Sequence, residues 1–326
     1  MKKILMICGG NSFEHEISCK SAKCILDNID KNLFEITVVG IDKQNNWYLF
    51  NDNYDDLFNN IWIKADKINN IIDFIKIFDV VFPVLHGLNG EDGTIQGMLE
   101  LFKIKYVGSK VLSSALGMDK QFSKIIFEKA NIPITPYLTM HNNDINYQQI
   151  KKRLNFPVIV KPARGGSSCG VNKANNKKEL NDAIQKANVF DTKIIIEKLI
   201  VGKELECAIV QGKKIMISSV GQIASANELY DYNAKYLNSN SQTIIPAKIS
   251  KRISDMIKQY TKDAFIAING NGLARVDFFY DEENDKIYLN EINTMPGFTS
   301  ISMFPKLFEH DKISYKKLIT FLINNA

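Results

Sequence analysis

A short apolar strand that ends in two glycines opens the chain, and it constrains the fold of the N-terminal part most strongly. Residues 3–8 are mainly apolar, Gly9 and Gly10 follow, and a polar segment with helical spacing comes next. This order predicts a buried strand, a tight turn and a helix. Apolar runs at residues 34–39 and 79–85 alternate with segments of helical character. We therefore predict a mixed α/β fold with a parallel N-terminal sheet, whose ligands gather at the carboxyl ends of its strands.

Composition narrows the class of protein. The 326 residues suggest two or three domains, and the formal net charge of +5 comes from interspersed acidic and basic residues. No basic stripe or nucleic-acid reader motif is visible, so we expect no nucleic-acid partner. The five cysteines form no C-x-x-C pair and no zinc-ligand spacing, which indicates reduced thiols in a cytoplasmic protein. The N-terminal apolar run is too short for a signal peptide, and no segment approaches the ~18 apolar residues of a membrane span.

A predicted hairpin near the C-terminus is the strongest local signal for chemistry. Residues i and i+2 of a strand share a face, so Arg275 and Asp277 point the same way, as do Glu291 and Asn293. Buried carboxylates at this density are costly unless they are paired or bind a metal, and oxygen ligands suit Mg²⁺ together with substrate phosphates. A surface hairpin with an Asp–Arg salt bridge explains the spacing equally well.

A glycine-rich segment after a predicted strand is the second signal. Residues 161–170 read K-P-A-R-G-G-S-S-C-G, and such small residues let backbone N–H groups approach phosphates, to which Lys161 adds a positive charge. A flexible glycine turn is the alternative. The segment also contains G-x-S-x-G, which would make Ser168 a hydrolase nucleophile. No helix is predicted directly after it, and only His310 lies downstream as a base, so we disfavour a hydrolase.

Two further polar residues follow predicted strands. His86 ends the apolar run 79–85, at an edge where substrate sites collect in parallel sheets. Glu14 follows the first strand, and with Asn11 as N-cap it would occupy position N3 of a capping box. The alternative is a carboxylate that faces a substrate ammonium. Residues 225–243 are rich in Asn, Ser and Tyr with little periodicity, which predicts a long loop that is either a lid or disordered.

Taken together, these motifs resemble the D-alanine–D-alanine ligases of the ATP-grasp superfamily. The matching pieces occur in the family's order between Gly9 and Ser302, and they include G-G-N-S-F-E-H-E-I-S, H-G-L-N-G-E-D-G-T-I-Q-G, M-D-K, K-P-A-R-G-G-S-S-C-G, D-Y-N-A-K-Y, R-V-D and N-E-I-N-T-M-P-G-F-T-S. The resemblance implies an ATP-grasp fold of three parts. These are an N-terminal α/β substrate domain (1–118), a central ATP-grasp domain (119–200) and a C-terminal ATP-grasp and metal-binding domain (201–326).

The resemblance also implies where nucleotide, metal and amino acids bind. ATP would lie between the central and C-terminal parts and contact Lys120, Lys161, Ser168, Glu197, Lys198 and Glu204. Two Mg²⁺ ions, replaceable by Mn²⁺, would be held by Asp277, Glu291 and Asn293. The amino-acid substrates would be bound by His86, Ser302 and Met303.

The catalytic residues implied by the resemblance act on two bound D-alanines. They are Glu14, Ser167, Lys235, Tyr236, Arg275 and Gly297. Glu14 would anchor the ammonium of the first D-alanine. Through Ser167 and Tyr236 it would also fix the closed lid. Lys235 would meet the γ-phosphate, and Arg275 with the Gly297 N–H would stabilise an oxyanion.

The implied reaction forms D-alanyl-D-alanine from ATP and two D-alanines through an acyl phosphate, for peptidoglycan precursor synthesis. The family also implies a homodimer. Tyr236 favours D-alanine, because relatives that use D-lactate typically carry phenylalanine there. Gly165 departs from the family's usual glutamate, which predicts a more flexible phosphate loop, and Met303 replaces a frequent leucine. Another ATP-grasp ligase with a different acid and amine, and a nucleotide-binding module without catalysis, are the alternatives.

Overall fold

The structure is a computed structural model that describes residues 1–50, 54–59, 61, 65–141, 146–224 and 242–326. Its strands are β1 (Lys2–Gly9), β2 (Phe34–Ile41), β3 (Trp47–Phe50), β4 (Asp66–Lys67), β5 (Val80–Pro83), β6 (Tyr137–His141), β7 (Val158–Pro162), β8 (Asn172–Ala174), β9 (Lys193–Lys198), β10 (Lys203–Gln211), β11 (Ile215–Ala224), β12 (Gln242–Ile244), β13 (Leu273–Asp281) and β14 (Lys286–Asn293). Its helices are α1 (His15–Asn28), α2 (Tyr54–Phe58), α3 (Ile71–Ile75), α4 (Thr94–Leu101), α5 (Val111–Met118), α6 (Lys120–Lys129), α7 (Tyr147–Arg153), α8 (Lys177–Asn188), α9 (Lys251–Ala267), α10 (Met303–His310) and α11 (Tyr315–Asn324).

The N-terminal sheet has the order β4-β3-β2-β1-β5. Strand β1 runs parallel to β2 and β5, which confirms the predicted parallel sheet. Strands β3 and β4 pair antiparallel at one edge and were not predicted. Gly9 and Gly10 have φ angles of 86° and 91°, so the chain leaves β1 through a left-handed turn that glycine adopts without strain.

Two antiparallel sheets build the rest of the molecule. One has the order β6-β9-β7-β8 and the other β12-β11-β10-β13-β14. The predicted hairpin β13–β14 is confirmed, and β10 and β11 form a second antiparallel pair. Of the predicted lid at 225–243, residues 225–241 lie outside the described residues, and its last two residues belong to β12.

Helix α1 begins one turn later than a capping box would require. Its N-cap residue is Glu14, which makes no side-chain capping hydrogen bond. The capping box with Asn11 as N-cap and Glu14 at N3 is therefore wrong. The physical reason is a competing partner, because the Glu14 carboxylate accepts a hydrogen bond from the Ser167 hydroxyl in another part of the chain.

The hydrophobic cores connect distant parts of the chain. The core on one face of the N-terminal sheet includes Phe298, Phe304 and Leu318 from the C-terminal end. The core beneath β10, β13 and α9 includes Phe127 of α6. The division at residues 118 and 200 stays a prediction.

Candidate active site

Four predicted polar residues meet on one face of the β13–β14 hairpin. Asp277 lies opposite Glu291, and Arg275 lies opposite Asn293. The Arg275 Nε and Nη2 atoms are each 2.7 Å from an Asp277 carboxylate oxygen, and the Asn293 Nδ2 atom is 3.1 Å from Oδ2. The salt bridge of the alternative interpretation is thus present, but the hairpin is not on the surface, since Asp277 is only 4% exposed. A buried acidic cluster is the result.

Glu206 belongs to the same cluster and was missed from the sequence. It lies opposite Asp277 on the neighbouring strand β10, and its Oε2 atom is 3.0 Å from the Arg275 Nε atom. The i, i+2 rule could have found it, because Glu204 had already been singled out on the same strand. Two carboxylates, those of Glu206 and Asp277, therefore contact one guanidinium.

A polar cleft lies between the two antiparallel sheets, beside the glycine-rich loop that follows β7. All six residues predicted to bind ATP line it: Lys120, Lys161, Ser168, Glu197, Lys198 and Glu204. The loop carries left-handed φ angles at Ser167 (50°) and Ser168 (57°), a conformation that is uncommon for residues other than glycine. We call this cleft the nucleotide cleft.

Buried ion pairs fix the lysines of the nucleotide cleft. The Lys161 Nζ atom is 2.8 Å from Glu197 Oε2, and Lys124 Nζ is 2.8 Å from Glu197 Oε1. Burial raises the pKa of Glu197, but Lys124 and Lys161 outweigh it, so the carboxylate stays ionised. Burial also lowers the pKa of Lys124. Lys124 was missed from the sequence, although its i, i+4 spacing from Lys120 on α6 places both on one helix face.

A second cleft lies on the other side of Glu291, between the N-terminal sheet and the C-terminal hairpin. The remaining predicted residues that the structure describes border it or lie directly beneath it. Those that line it are Glu14, His86, Ser167, Arg275, Asn293, Gly297, Ser302 and Met303. Lys235 and Tyr236 lie outside the described residues. We call this the amino-acid cleft.

Two glycines make room for the Glu14 carboxylate. A Cβ atom at Gly166 would lie 2.3 Å from Glu14 Oε2, and one at Gly87 would lie 2.7 Å from it. Neither distance is compatible with a side chain, so glycine at these positions lets the Glu14 carboxylate reach Ser167. The predicted Glu14–Ser167 link is therefore present, while its Tyr236 end is not described.

Buried groups of the N-terminal part contact the loop after β14. Burial lowers the pKa of His86, whose Nδ1 atom is 2.9 Å from the Met295 carbonyl oxygen. Glu91, missed from the sequence as a site residue, accepts hydrogen bonds from the Gly87 and Met295 N–H groups at 2.8 and 2.9 Å. Burial, followed by the charge of Glu14, raises the pKa of Glu91 to about 8.

Among the described residues, no helix is long and apolar enough to cross a membrane.

Comparisons with known proteins agree with this geometry. The family model described as D-ala D-ala ligase N-terminus matches residues 3–109, and the one described as D-ala D-ala ligase C-terminus matches residues 126–324. The D-alanine–D-alanine ligase of Acetivibrio thermocellus is 44% identical, with 100% of this chain and 96% of the relative covered. That of Caldicellulosiruptor bescii is 42% identical over 99% of this chain and 94% of the relative.

Solved structures give the same result. The VanG D-Ala:D-Ser ligase from Enterococcus faecalis aligns with a TM-score of 0.89 and 35% identity, covering 99% of this chain and 98% of that one. The D-alanine–D-alanine ligase from Coxiella burnetii aligns with a TM-score of 0.86 and 33% identity, covering 100% and 95%. The chain therefore belongs to the D-alanine–D-alanine ligase family and has its ATP-grasp fold.

Proposed function

We propose that the protein joins two D-alanines into D-alanyl-D-alanine with conversion of ATP to ADP and phosphate, for peptidoglycan precursor synthesis. One observation carries the proposal: the nucleotide cleft and the amino-acid cleft share Gly166, Ser167 and Glu291. A γ-phosphate in the first cleft would lie beside an amino-acid carboxylate in the second. The names of the relatives, D-alanine–D-alanine and D-Ala:D-Ser ligases, support D-amino acids as substrates.

The clefts explain why phosphoryl transfer must come first. A carboxylate is a poor electrophile, and transfer of the γ-phosphoryl group to the first D-alanine converts its oxygen into a leaving group as an acyl phosphate. Lys120 and Lys161 bind the phosphates during transfer. The neutral amine of the second D-alanine then attacks the acyl carbon, forms the C–N bond and expels phosphate.

The amino-acid cleft supplies the groups that the second step needs. Glu14 binds the ammonium of the first D-alanine. Arg275, held in place by Asp277 and Glu206, and the Gly297 N–H stabilise the negative charge of the tetrahedral intermediate. His86, Ser302 and Met303 border the substrate carboxylates. Lys235 and Tyr236 would complete the site when a lid over it excludes water.

The acidic cluster fits two Mg²⁺ ions, which Mn²⁺ can replace. Among the described residues, no group of three or more His, Cys, Asp and Glu side chains is arranged to hold a metal alone. Mg²⁺ needs no such group, since it typically binds one or two carboxylates together with substrate phosphates. Asp277, Glu291 and the Asn293 amide oxygen would provide the protein ligands, and Asn293 is oriented for this because its Nδ2 atom donates to Asp277. Bound Mg²⁺ would neutralise phosphate charge during transfer.

A phosphate-release assay with ATP, Mg²⁺ and D-alanine tests the proposal. We expect phosphate release that depends on D-alanine, with D-alanyl-D-alanine identified by mass spectrometry. D-serine, D-lactate and L-alanine serve as second-substrate comparators. Turnover with another acid and amine, and none with D-alanine, would refute the substrate assignment. ATP binding without turnover of any amino acid would instead favour a non-catalytic module.

Two further features are part of the proposal. We infer a homodimer, which sedimentation equilibrium would distinguish from a monomer. We infer a cytoplasmic location, since both proposed substrates, ATP and D-alanine, are used there, and cell fractionation would test it.

A further inference from the structure

The peptide groups on either side of Gly297 are held by side chains from distant parts of the chain. Glu91 accepts the Met295 N–H at 2.9 Å, and the Met295 carbonyl faces His86 Nδ1 at 2.9 Å. The Phe298 N–H donates to Ser21 Oγ at 3.1 Å, and the Phe298 carbonyl accepts from the Tyr315 hydroxyl. Pro296, between them, has no N–H.

The Gly297 N–H differs from its neighbours. No acceptor for it exists among the residues that the structure describes, while Gly297 itself lines the amino-acid cleft. An amide that faces a cleft without a protein partner is available to a ligand oxygen. The four fixed peptide groups around it therefore determine where this donor points.

Ser21 and His86 form one chain of hydrogen bonds whose direction can be deduced. A carbonyl oxygen only accepts, so the bond to Met295 places the His86 proton on Nδ1. Because burial lowers the pKa of His86, the ring is neutral and its Nε2 atom is an acceptor. The Ser21 hydroxyl, 2.9 Å away, must donate to it and is then free to accept the Phe298 N–H.

The chain of bonds joins three segments that are far apart in sequence. Ser21 lies on α1 and is fully buried, His86 follows β5, and the segment that they hold follows β14. Both ring nitrogens of His86 are occupied by protein groups, so His86 contributes no ring N–H to a substrate in this arrangement.

We propose that Ser21 is a positioning residue for the ligase reaction: with His86 it fixes the Met295–Phe298 segment so that the Gly297 N–H faces the reacting carbonyl. The effect of Ser21 on catalysis rests on the proposed function. Its positioning of the Met295–Phe298 segment does not. Ser21 does not touch the substrates and acts through Gly297.

Ser18 offers a matched control on the same helix. Like Ser21 it is fully buried, and its hydroxyl also joins one N–H donor to one acceptor, accepting from the Gly9 N–H at 2.7 Å and donating to the Val84 carbonyl. Its partners are Gly9, the last residue of β1, and Val84, which directly follows β5, so neither belongs to the segment after β14. The Ser18→Ala and Ser21→Ala variants therefore each remove two hydrogen bonds, but only Ser21→Ala loosens the Met295–Phe298 segment.

Amide hydrogen exchange of the full-length protein without substrates tests the positioning. We expect exchange of the Phe298 N–H to accelerate at least tenfold in Ser21→Ala and to stay unchanged in Ser18→Ala. Ser21→Cys, which retains a weaker donor and acceptor, should give an intermediate value. Equal exchange in the wild type and Ser21→Ala overturns the inference, whatever the protein's substrates are.

Steady-state kinetics of the same variants test the catalytic consequence. Loss of an aligned oxyanion donor should lower kcat about tenfold to a hundredfold in Ser21→Ala and leave the KM for ATP unchanged. A comparable fall in Ser18→Ala would indicate general loosening of the sheet and contradict the proposal. Accelerated exchange in a protein that does not turn over D-alanine would refute the proposed function and support the positioning.

Discussion

The two clefts hold their polar groups in different ways. The nucleotide cleft relies on ionised side chains that neutralise one another, as in the pair of lysines on Glu197. The amino-acid cleft relies in addition on the backbone of an irregular segment, which side chains from other elements hold in place. Binding of phosphates requires positive charge, which side chains can provide in many arrangements. A tetrahedral intermediate requires donors in one direction, which depends on contacts across the whole fold.

The largest expected effect comes from the cluster where the clefts meet. Asp277→Asn removes a charge that the proposed Mg²⁺ ions need and that orients Arg275, so activity in the phosphate-release assay should fall by about 100-fold or more. Asp281→Asn, at the far end of the same strand, should retain full activity. Full activity of a folded Asp277→Asn variant would show that the metal assignment is wrong.

Lys161→Gln should affect the nucleotide cleft selectively. It removes one charge-assisted hydrogen bond to phosphate, worth about 1.5–3 kcal/mol, so the KM for ATP should rise about 10-fold to 100-fold while the KM for D-alanine changes little. Glu197 remains paired with Lys124, which limits the loss of stability. Lys178→Gln, on the exposed face of α8, is the control. A rise confined to the D-alanine KM would reverse the assignment of the two clefts.

Gly166→Ala should affect the amino-acid cleft through Glu14. The new methyl group would meet the end of a flexible carboxylate, which can move, so the fold should survive while the Glu14–Ser167 contact is lost. We expect the KM for the first D-alanine to rise about 10-fold, the value of one hydrogen bond to a charged group. Gly97→Ala is the control, because a Cβ atom there meets nothing within 4 Å. An unchanged KM would show that Glu14 does not bind the ammonium.

The last expected effect is on stability and not on activity: a pH dependence of unfolding that arises at the amino-acid cleft. The pKa of Glu91 is raised from 4.5 to about 8 by burial and by Glu14, against the opposing effects of its two N–H donors and Arg275. The folded protein therefore keeps a proton that the unfolded chain loses, so the free energy of unfolding falls as pH rises from about 4.5 to about 8. Glu91→Gln cannot titrate, and its stability relative to the wild type should increase over that window.

Urea unfolding at about pH 5 and about pH 8.5 measures this difference. The exposed Glu283→Gln variant should show no such trend. A constant difference between Glu91→Gln and the wild type would mean that the Glu91 carboxyl is ionised throughout.

The nucleotide cleft could largely be predicted from the sequence, and the amino-acid cleft only in part. Local rules were sufficient to predict the hairpin and the loop after Lys161. In the hairpin, the two-residue period of a strand places Arg275 and Asp277 on one face. Family resemblance added the residues that only the fold brings together. The roles of the site residues remain predictions.

The residues that were missed bind partners that are far away in sequence, or they lie in stretches whose local sequence indicates no function. Ser21 and Phe298 are 277 residues apart, and nothing near either one indicates their hydrogen bond. Glu91 lies in a glycine-rich polar stretch that is typical of a turn, and the Met295 N–H that it binds is 204 residues away in sequence. The capping box at Glu14 failed for the same reason, because a tertiary partner replaced the local one.

The core that the N-terminal sheet shares with the last helices has a consequence for synthesis on the ribosome. Strand β1 is made first, but the packing against it is completed by residues from Phe298 to Ile323, and Lys2 donates to Asn324 at 3.1 Å. The N-terminal part, which emerges first, thus keeps apolar surface uncovered until translation is nearly finished. A nascent chain arrested before α10 should recruit chaperones that the released protein no longer binds.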